Sequence, residues 1–462
     1  MVSFMEIYVK NMKAINLISR MDYHFWSPRK ELSEFHEIRT IKECVGRDNI
    51  TASAFYPSIV PYYSSKGELG NGKYEPFIRV TDVRNGLLDF DKTVFLSVEI
   101  LDELSSSIKR VKSGDVVITK GGEYIGEAAL VPDYYDKYGT CRDVLCISMK
   151  NANIQGEYLA SYLQSKHGKN ELIRTRSAQG QPHLTIDKVA GIRVPIYSQD
   201  FQDQISTCWE LFYQLMDESN THFENAKYIF NDTLSHKIDE NEKVMSFVKK
   251  VKANRFAQRF DVEYFENRWT NLVNELKEEG YQFKTISYIK EEIKPQKSQE
   301  VFNYITLSDI DDRSGIIKEP ESLEAYRLPD RAKRKVQKGD VIVSSLKGSK
   351  EKVAIVNSEK DNLVASTGFY VIRDKNYLPE VLYLIFRSKY YDLFIEQMSS
   401  GAIMSSITEK YFKQFLIPEI NKEVQKEIAE EVIAYMITRK LAFEHLDQAI
   451  TKFDKMADSD KI

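Results

Sequence analysis

One stretch of this chain is written twice. KNMKAINLISRMDYHFW at 10–26 returns as KKVKANRFAQRFDVEYF at 249–265. Lys10, Lys13, Ala14, Arg20 and Asp22 recur as Lys249, Lys252, Ala253, Arg259 and Asp261, and the pair Phe25–Trp26 recurs as Tyr264–Phe265. The echo continues in order. FIRVTDV (77–83) returns as YITLSDI (304–310), KSGDVVIT (112–119) as QKGDVIVS (337–344), AALV (128–131) as VAIV (353–356), and GEYLASYLQSK (156–166) as PEVLYLIFRSK (379–389). Gly180 and Ile186, then Pro195, are echoed by Gly401, Ile407 and Pro418. The offset drifts from 239 through 227, 225 and 223 to 221, as in a diverged internal duplication. Solenoid repeats run about 20–50 residues, so each copy here is a whole domain.

Within each copy, short β-branched and aromatic runs are broken by Gly, Asn and Asp: FIRVTDVRNG, GDVVITKGG, EAALVPD and DVLCISM. These read as strands joined by turns. A helix is expected over about 155–175 and over 379–398, then a glycine-containing loop and a last strand ending in RVPI or FLIP. From Gln199 the chain loses its Gly and Pro. Phe201, Ile205, Cys208, Phe212 and Leu215 step by 4-3-4-3, and Ala226 and Ile229 rejoin the register after polar Ser219 and His222. From Asn421, Ile428, Val432, Tyr435, Ala442, Leu446, Ala449 and Phe453 keep the same spacing, with Arg439 breaking it once. Such seams mark long helices packed on helices, a coiled-coil spacer. The reading is an α+β chain of two similar mixed α/β domains, 1–198 and 251–420, separated by two long antiparallel helices in 199–250 and 421–462, with an internal pseudo-two-fold repeat.

Motifs that carry chemistry are missing. There is no phosphate-loop pattern, and KGGEYIG (120–126) reads as a β-turn. HExxH, GxSxG and EF-hand patterns are absent. So are the Asn-Pro-Pro-aromatic element of an amino-methyltransferase and a Pro-Asp followed at nuclease spacing by Asp/Glu-x-Lys. No residues have metal-ligand spacing, and no catalytic residue is assigned. Cys44, Cys141, Cys146 and Cys208 read as buried thiols in a reducing compartment. Without a signal peptide or a transmembrane run, a cytoplasmic location is expected. A net charge of −4 excludes a polycation but leaves room for local basic faces.

Such loops exist in both copies. The first offers Arg79, Arg84, Lys120 and the run RTRSAQGQPH, with Arg174, Arg176, Gln179, Gln181 and His183. The second offers Arg313, RAKRK (331–335), Lys347 and Lys350 in KGSK, and SSGAIMSS (399–406) with Ser405 and Ser406. Arg and Lys pair with phosphate or guanine, and Gln reads adenine. Taken singly, most such groups are solvated surface charges. Two equal scaffolds carrying different loops suit double-stranded DNA with two unlike half-sites.

The doubled Arg-x-Asp-x-x-aromatic-aromatic element, the GDVVITKGG strand and turn, the SAQGQPHLTIDKVAGIRVPI ending and the long helix after each half resemble the specificity subunits of type I restriction–modification systems. The resemblance implies two target recognition domains, a bipartite target, and no catalysis by this chain alone. It also implies docking of two methyltransferase subunits, joined by restriction (endonuclease and translocase) subunits. S-adenosylmethionine, ATP and Mg are then used on the partners, and none is bound here. The alternatives are a diverged DNA methyltransferase or nuclease, a stand-alone DNA-binding protein, or a protein scaffold.

Overall fold

The Gly-Asp turns announced in the sequence open the central strand of each half in the computed structural model. It describes residues 37–65, 73–90, 93–122, 124–176, 183–235, 238, 262–289, 291–293, 300–400 and 405–459. Arg20, Asp22, Arg259 and Asp261 of the repeated opening lie outside these. The chain divides into two units, one of residues 1–213 with 442–462, the other of 214–441.

In the first unit, β1 (Ile38–Thr40), β2 (Ile50–Ala52), β3 (Tyr74–Ile78), the short pair β4 (Val83–Arg84) and β5 (Leu87–Leu88), β6 (Val94–Ser97), β7 (Arg110–Val111), β8 (Val116–Thr119), β9 (Ala128–Leu130), β10 (Tyr138–Thr140), β11 (Val144–Ile147) and β12 (Arg193–Pro195) follow in order. They form two four-stranded sheets, β2-β11-β8-β9 and β6-β3-β10-β7, and a two-stranded β1-β12. In the second unit, β13 (Phe283–Thr285), β14 (Tyr288–Ile289), β15 (Val301–Ile305), β16 (Glu321–Glu324), β17 (Ala332–Lys335), β18 (Val341–Ser344), β19 (Val353–Ile355), β20 (Leu363–Ser366), β21 (Phe369–Ile372) and β22 (Leu416–Pro418) repeat the pattern as β14-β21-β18-β19, β16-β15-β20-β17 and β13-β22.

The cores correspond nearly residue for residue. Ile78, Val83, Val111, Val117, Ala129, Val131, Tyr138, Val144 and Cys146 cluster between the first unit's sheets. Ile305, Ile310, Val336, Ile342, Ala354, Val356, Leu363, Phe369 and Val371 do so in the second. Strand period 2 explains the division of labour. Val117 and Ile342 face the sheet–sheet core, while the neighbours Val341 and Val343 join a cluster with the helix Pro379–Phe386.

The expected helix over 155–175 is two helices, Gly156–Gln164 and Lys166–Thr175, and 379–398 likewise breaks into Pro379–Phe386 and Lys389–Met398. Ser165 ends the first, and its hydroxyl accepts from Gly168 N to cap the second. Gly168 is required there, since a Cβ would stand 2.0 Å from Tyr162 O. The pairing of Ile186 with Ile407 is also corrected. Leu184 N donates to Lys120 O, as Ile407 N donates to Ser345 O, so Leu184 is the counterpart of Ile407.

The central helix runs Gln199–Asp232 and the last helix Lys422–Ser459. In the first unit Phe201 meets Phe453 at 5.4 Å, Phe212 meets Phe443 at 5.9 Å, and Lys452 Nζ donates to Gln204 Oε1. In the second, Ser219 Oγ donates to Tyr435 O, His222 pairs with Glu431 at 2.7 Å, and Arg439 donates to Asn220. Within each unit, rising numbers on one helix meet falling numbers on the other, so the segments run antiparallel. Phe201, Ile205, Phe212, Ile428, Val432, Tyr435 and Leu446 are buried, and Leu215 is half-buried. Ser219 is not a gap in the seam: it is fully buried, and Phe223, Ala226, Ile229 and Phe230 pack beyond it. Its small side chain lets the facing backbone approach. Among the described residues no helix is long and apolar enough to cross a membrane.

Candidate nucleic-acid interface

In the first unit the polar loops gather around the turn between β8 and β9. Thr119 N donates to Glu127 O and Gly126 N to Thr119 O, closing the hairpin, and positive φ at Gly122 and Gly126 lets it turn. The base of this turn is held from two sides, because Lys120 N donates to Asp143 O (2.7 Å) and Leu184 N donates to Lys120 O (2.8 Å). His183 therefore lies against Gly121, where a Cβ would come within 2.6 Å of its Nδ1. Arg176 Nη2 donates to Ile125 O at 2.5 Å, and burial draws its guanidinium below its ordinary value. Arg84 stacks on Tyr124, its guanidinium carbon 3.1 Å from the ring centre. Arg84, Lys120, Arg176 and His183 are thus brought together from three separate stretches of chain. Arg174 is in the last turn of the helix that leads there. Gln179 and Gln181 lie outside the described residues, but both neighbours of their loop, Arg176 and His183, sit on the turn.

Arg79 adjoins this cluster through Val80, which lies beside Gly122. Its guanidinium is engaged, with Nη2 3.0 Å from Asp82 Oδ1 and Nε 3.1 Å from Oδ2. Burial pushes the Asp82 carboxyl up from its ordinary value, and the hydrogen bonds from Arg79 act against that. Gly86 ends the same loop. Gln164 donates to its carbonyl, and a Cβ on Gly86 would stand 1.7 Å from Gln164 Oε1.

The second unit builds the same frame with other side chains. Ser345 N donates to Gly368 O and Ile407 N to Ser345 O, at 2.9 Å each. Lys347 N donates to Ser405 O, and Leu346 bridges Ser406. Lys347, Ser405 and Ser406 therefore share one loop base. Lys350 is tied instead to Asp392, 2.7 Å from its carboxylate. Arg313 stands apart from them, at the position of Gly86. Its carbonyl accepts from Arg387 Nη2 and from Tyr435 Oη, each at 2.7 Å. Of the RAKRK run on β17, Arg334 pairs with Glu292 and Lys335 with Glu291. Tyr124 was not foreseen as part of the interface. The signal was an aromatic inside a glycine turn, which becomes legible only with Arg84 on top of it.

The cluster offers cationic and amide donors without a nucleophile–base arrangement among the residues just described. It suits phosphate and base edges.

Residues 60–225 match the family described as type I restriction modification DNA specificity domain, Methylase_S. No curated protein matches significantly. Among solved structures, the chain is similar to the S subunit of a type I restriction–modification system from M. genitalium, with 12% identity, 93% of this chain and 97% of that one covered and a TM-score of 0.39. The HsdS subunit from Thermoanaerobacter tengcongensis gives 14%, 92%, 98% and 0.28. A chain from a study of complex assembly and conformational transition of the type I R-M system gives 13%, 92%, 97% and 0.29.

Proposed function

We propose that this chain, whose residues 60–225 match the type I restriction modification DNA specificity domain family, reads a bipartite DNA target, one half-site per unit, on behalf of partner enzymes. The observation that carries this reading is the loop base built twice. One backbone frame presents Lys120, Gly121 and His183 in the first unit and Ser345, Leu346 and Ser406 in the second. A conserved frame with exchanged side chains is what two unlike half-sites require. The chain has no catalysis of its own. Two methyltransferase subunits dock on it and bring S-adenosylmethionine, and restriction subunits bring ATP and Mg. The complex works in the cytoplasm.

The test is binding and methylation mapping of the chain with its methyltransferase subunits. The complex should methylate adenines in one two-part sequence, and its affinity should fall steeply between roughly 50 and 200 mM salt as counterions are released. Replacing Gln179 and Gln181 with Ala should relax one half-site by about 1–3 kcal/mol of discrimination and leave the other intact. Salt-independent binding, or an equal loss over both halves, would count against the assignment.

A further inference from the structure

The first unit carries an apolar ridge that the loop cluster does not use. Between β2 and β3 the chain reads SAFYPSIVPYYS, 53–64. Phe55 is 78% exposed, Val60 62% and Tyr62 57%. Single exposed apolar residues are ordinary; three within a span of eight residues are not. The loop is firmly seated. Ile59 is buried with Phe77, Leu96, Leu101 and Ile108, and Tyr56 and Tyr63 pack on the same cluster. Tyr56 meets Phe77 edge-on at 6.4 Å, and Tyr63 lies 5.9 Å from it. Ser53 Oγ accepts from Lys109 N and donates to Thr140 O. Pro61 stiffens the 3₁₀ turn Val60–Tyr62. Inward Tyr56, Ile59 and Tyr63 thus fix the outward Phe55, Val60 and Tyr62.

Three basic residues border the ridge, two of them beside carboxylates. Exposed Lys109 is pinned beside Ser53, Arg142 is 61% exposed with Asp143 3.6 Å from it, and Arg79 lies over Tyr63 at 5.9 Å. Asp143 is the residue whose carbonyl holds Lys120. The ridge therefore borders the loop cluster. The counterpart segment of the second unit, between β14 and β15, is KEEIKPQKSQE, 290–300, and has no aromatic residue.

Resting on the specificity reading, we propose that Phe55, with Val60 and Tyr62 beside it, is a wedge that unstacks a base step of duplex DNA in the half-site read by the first unit. Apolar side chains inserted between bases kink the duplex, and flanking cations hold its phosphates. The wedge makes the half of the target read by the first unit depend on deformability.

The test uses the full chain in complex with its methyltransferase subunits and a duplex of its own target, with 2-aminopurine placed at each position in turn. With the natural chain, fluorescence should rise at one step within one half-site in addition to the adenines that the methyltransferase subunits flip out. Phe55→Ala should abolish that rise and weaken binding about 10- to 100-fold, with thermal stability and assembly with the methyltransferase unchanged. A mismatch at that step should restore most of the lost affinity, and Phe55→Trp should keep it. Unchanged binding and fluorescence in Phe55→Ala, Val60→Ala and Tyr62→Ala would overturn the wedge alone. Impaired assembly of Phe55→Ala with the methyltransferase in the absence of DNA would also overturn it, by making the ridge a protein contact. Failure of the natural complex to bind any duplex would instead remove the specificity reading beneath it.

Discussion

Lys120 and His183 were both visible in the sequence as polar loop residues, but their meeting was not. They are joined through the Leu184–Lys120 backbone bond, across a span that no local pattern encodes. The tie of Lys350 to Asp392 was hidden for the same reason. Composition can nominate cations, and only the tertiary fold decides which of them are already engaged. The cysteines show the opposite case, where local character was enough. Cys44 and Cys146 are buried and Cys141 half-buried. Burial pushes the Cys44 and Cys141 thiols up to about 11 and Cys146 up to about 12. A raised pKa keeps the proton on sulfur, and the thiolate is the reactive form. The folded protein at pH 8 should therefore resist iodoacetamide at all three, while guanidinium-unfolded protein reacts at every cysteine. The linkage has a fixed sign. An unfolded thiol titrates near 8.5, so these groups favour the folded state below that and withdraw support as pH rises toward about 11. Mass spectrometry of alkylated peptides checks the first expectation, and rapid labelling of native Cys146 at pH 8 would contradict it.

Strands were legible because apolar alternation is local and the Gly-Asp turns mark where β8 and β18 begin. Helix ends were less so. GEYLASYLQSKHGKNELIRT reads as one amphipathic run, and only the Ser165 hydroxyl bonding to Gly168 N shows where it is cut. The long helices were legible as seams, yet Ser219 was misread as an interruption because its role is to be small. The strongest knot in the first unit's seam is Phe453, 2% exposed. Its ring lies 4.9 Å from Tyr158, 5.7 Å from Tyr162 and 5.4 Å from Phe201. Phe453→Ala should cost about 3–5 kcal/mol, read from denaturant midpoints with a probe in the first unit. A change below about 1 kcal/mol would mean the last helix is not part of that unit's core.

At the level of the whole chain, the duplication predicts the behaviour of a fragment. Residues 1–248 keep the first set of sheets and the central helix but lose the last helix. By the repeat, Ser219, Phe223, Ala226 and Phe230 correspond to Ala442, Leu446, Ala449 and Phe453. A second copy can therefore offer its own 219–230 where 442–453 used to pack, and the arrangement is reciprocal. The fragment should sediment as a dimer and, with the methyltransferase, modify a site whose halves are inverted copies. A soluble monomer, or retention of the asymmetric site, would contradict this.

The first unit is closed by residues 442–462, and this sets a timetable for its synthesis. The ribosome makes those residues roughly 230 positions after Tyr213. At about 5–20 residues per second, that is a wait of roughly 10–45 s. The nascent sheets can form early, but Phe201 and Phe212 must wait for Phe453 and Phe443 until the other end of the chain arrives. The opening half of the protein is therefore the last to be completed, and during the wait its bare helix is the surface that a chaperone, or a neighbouring nascent copy, meets first.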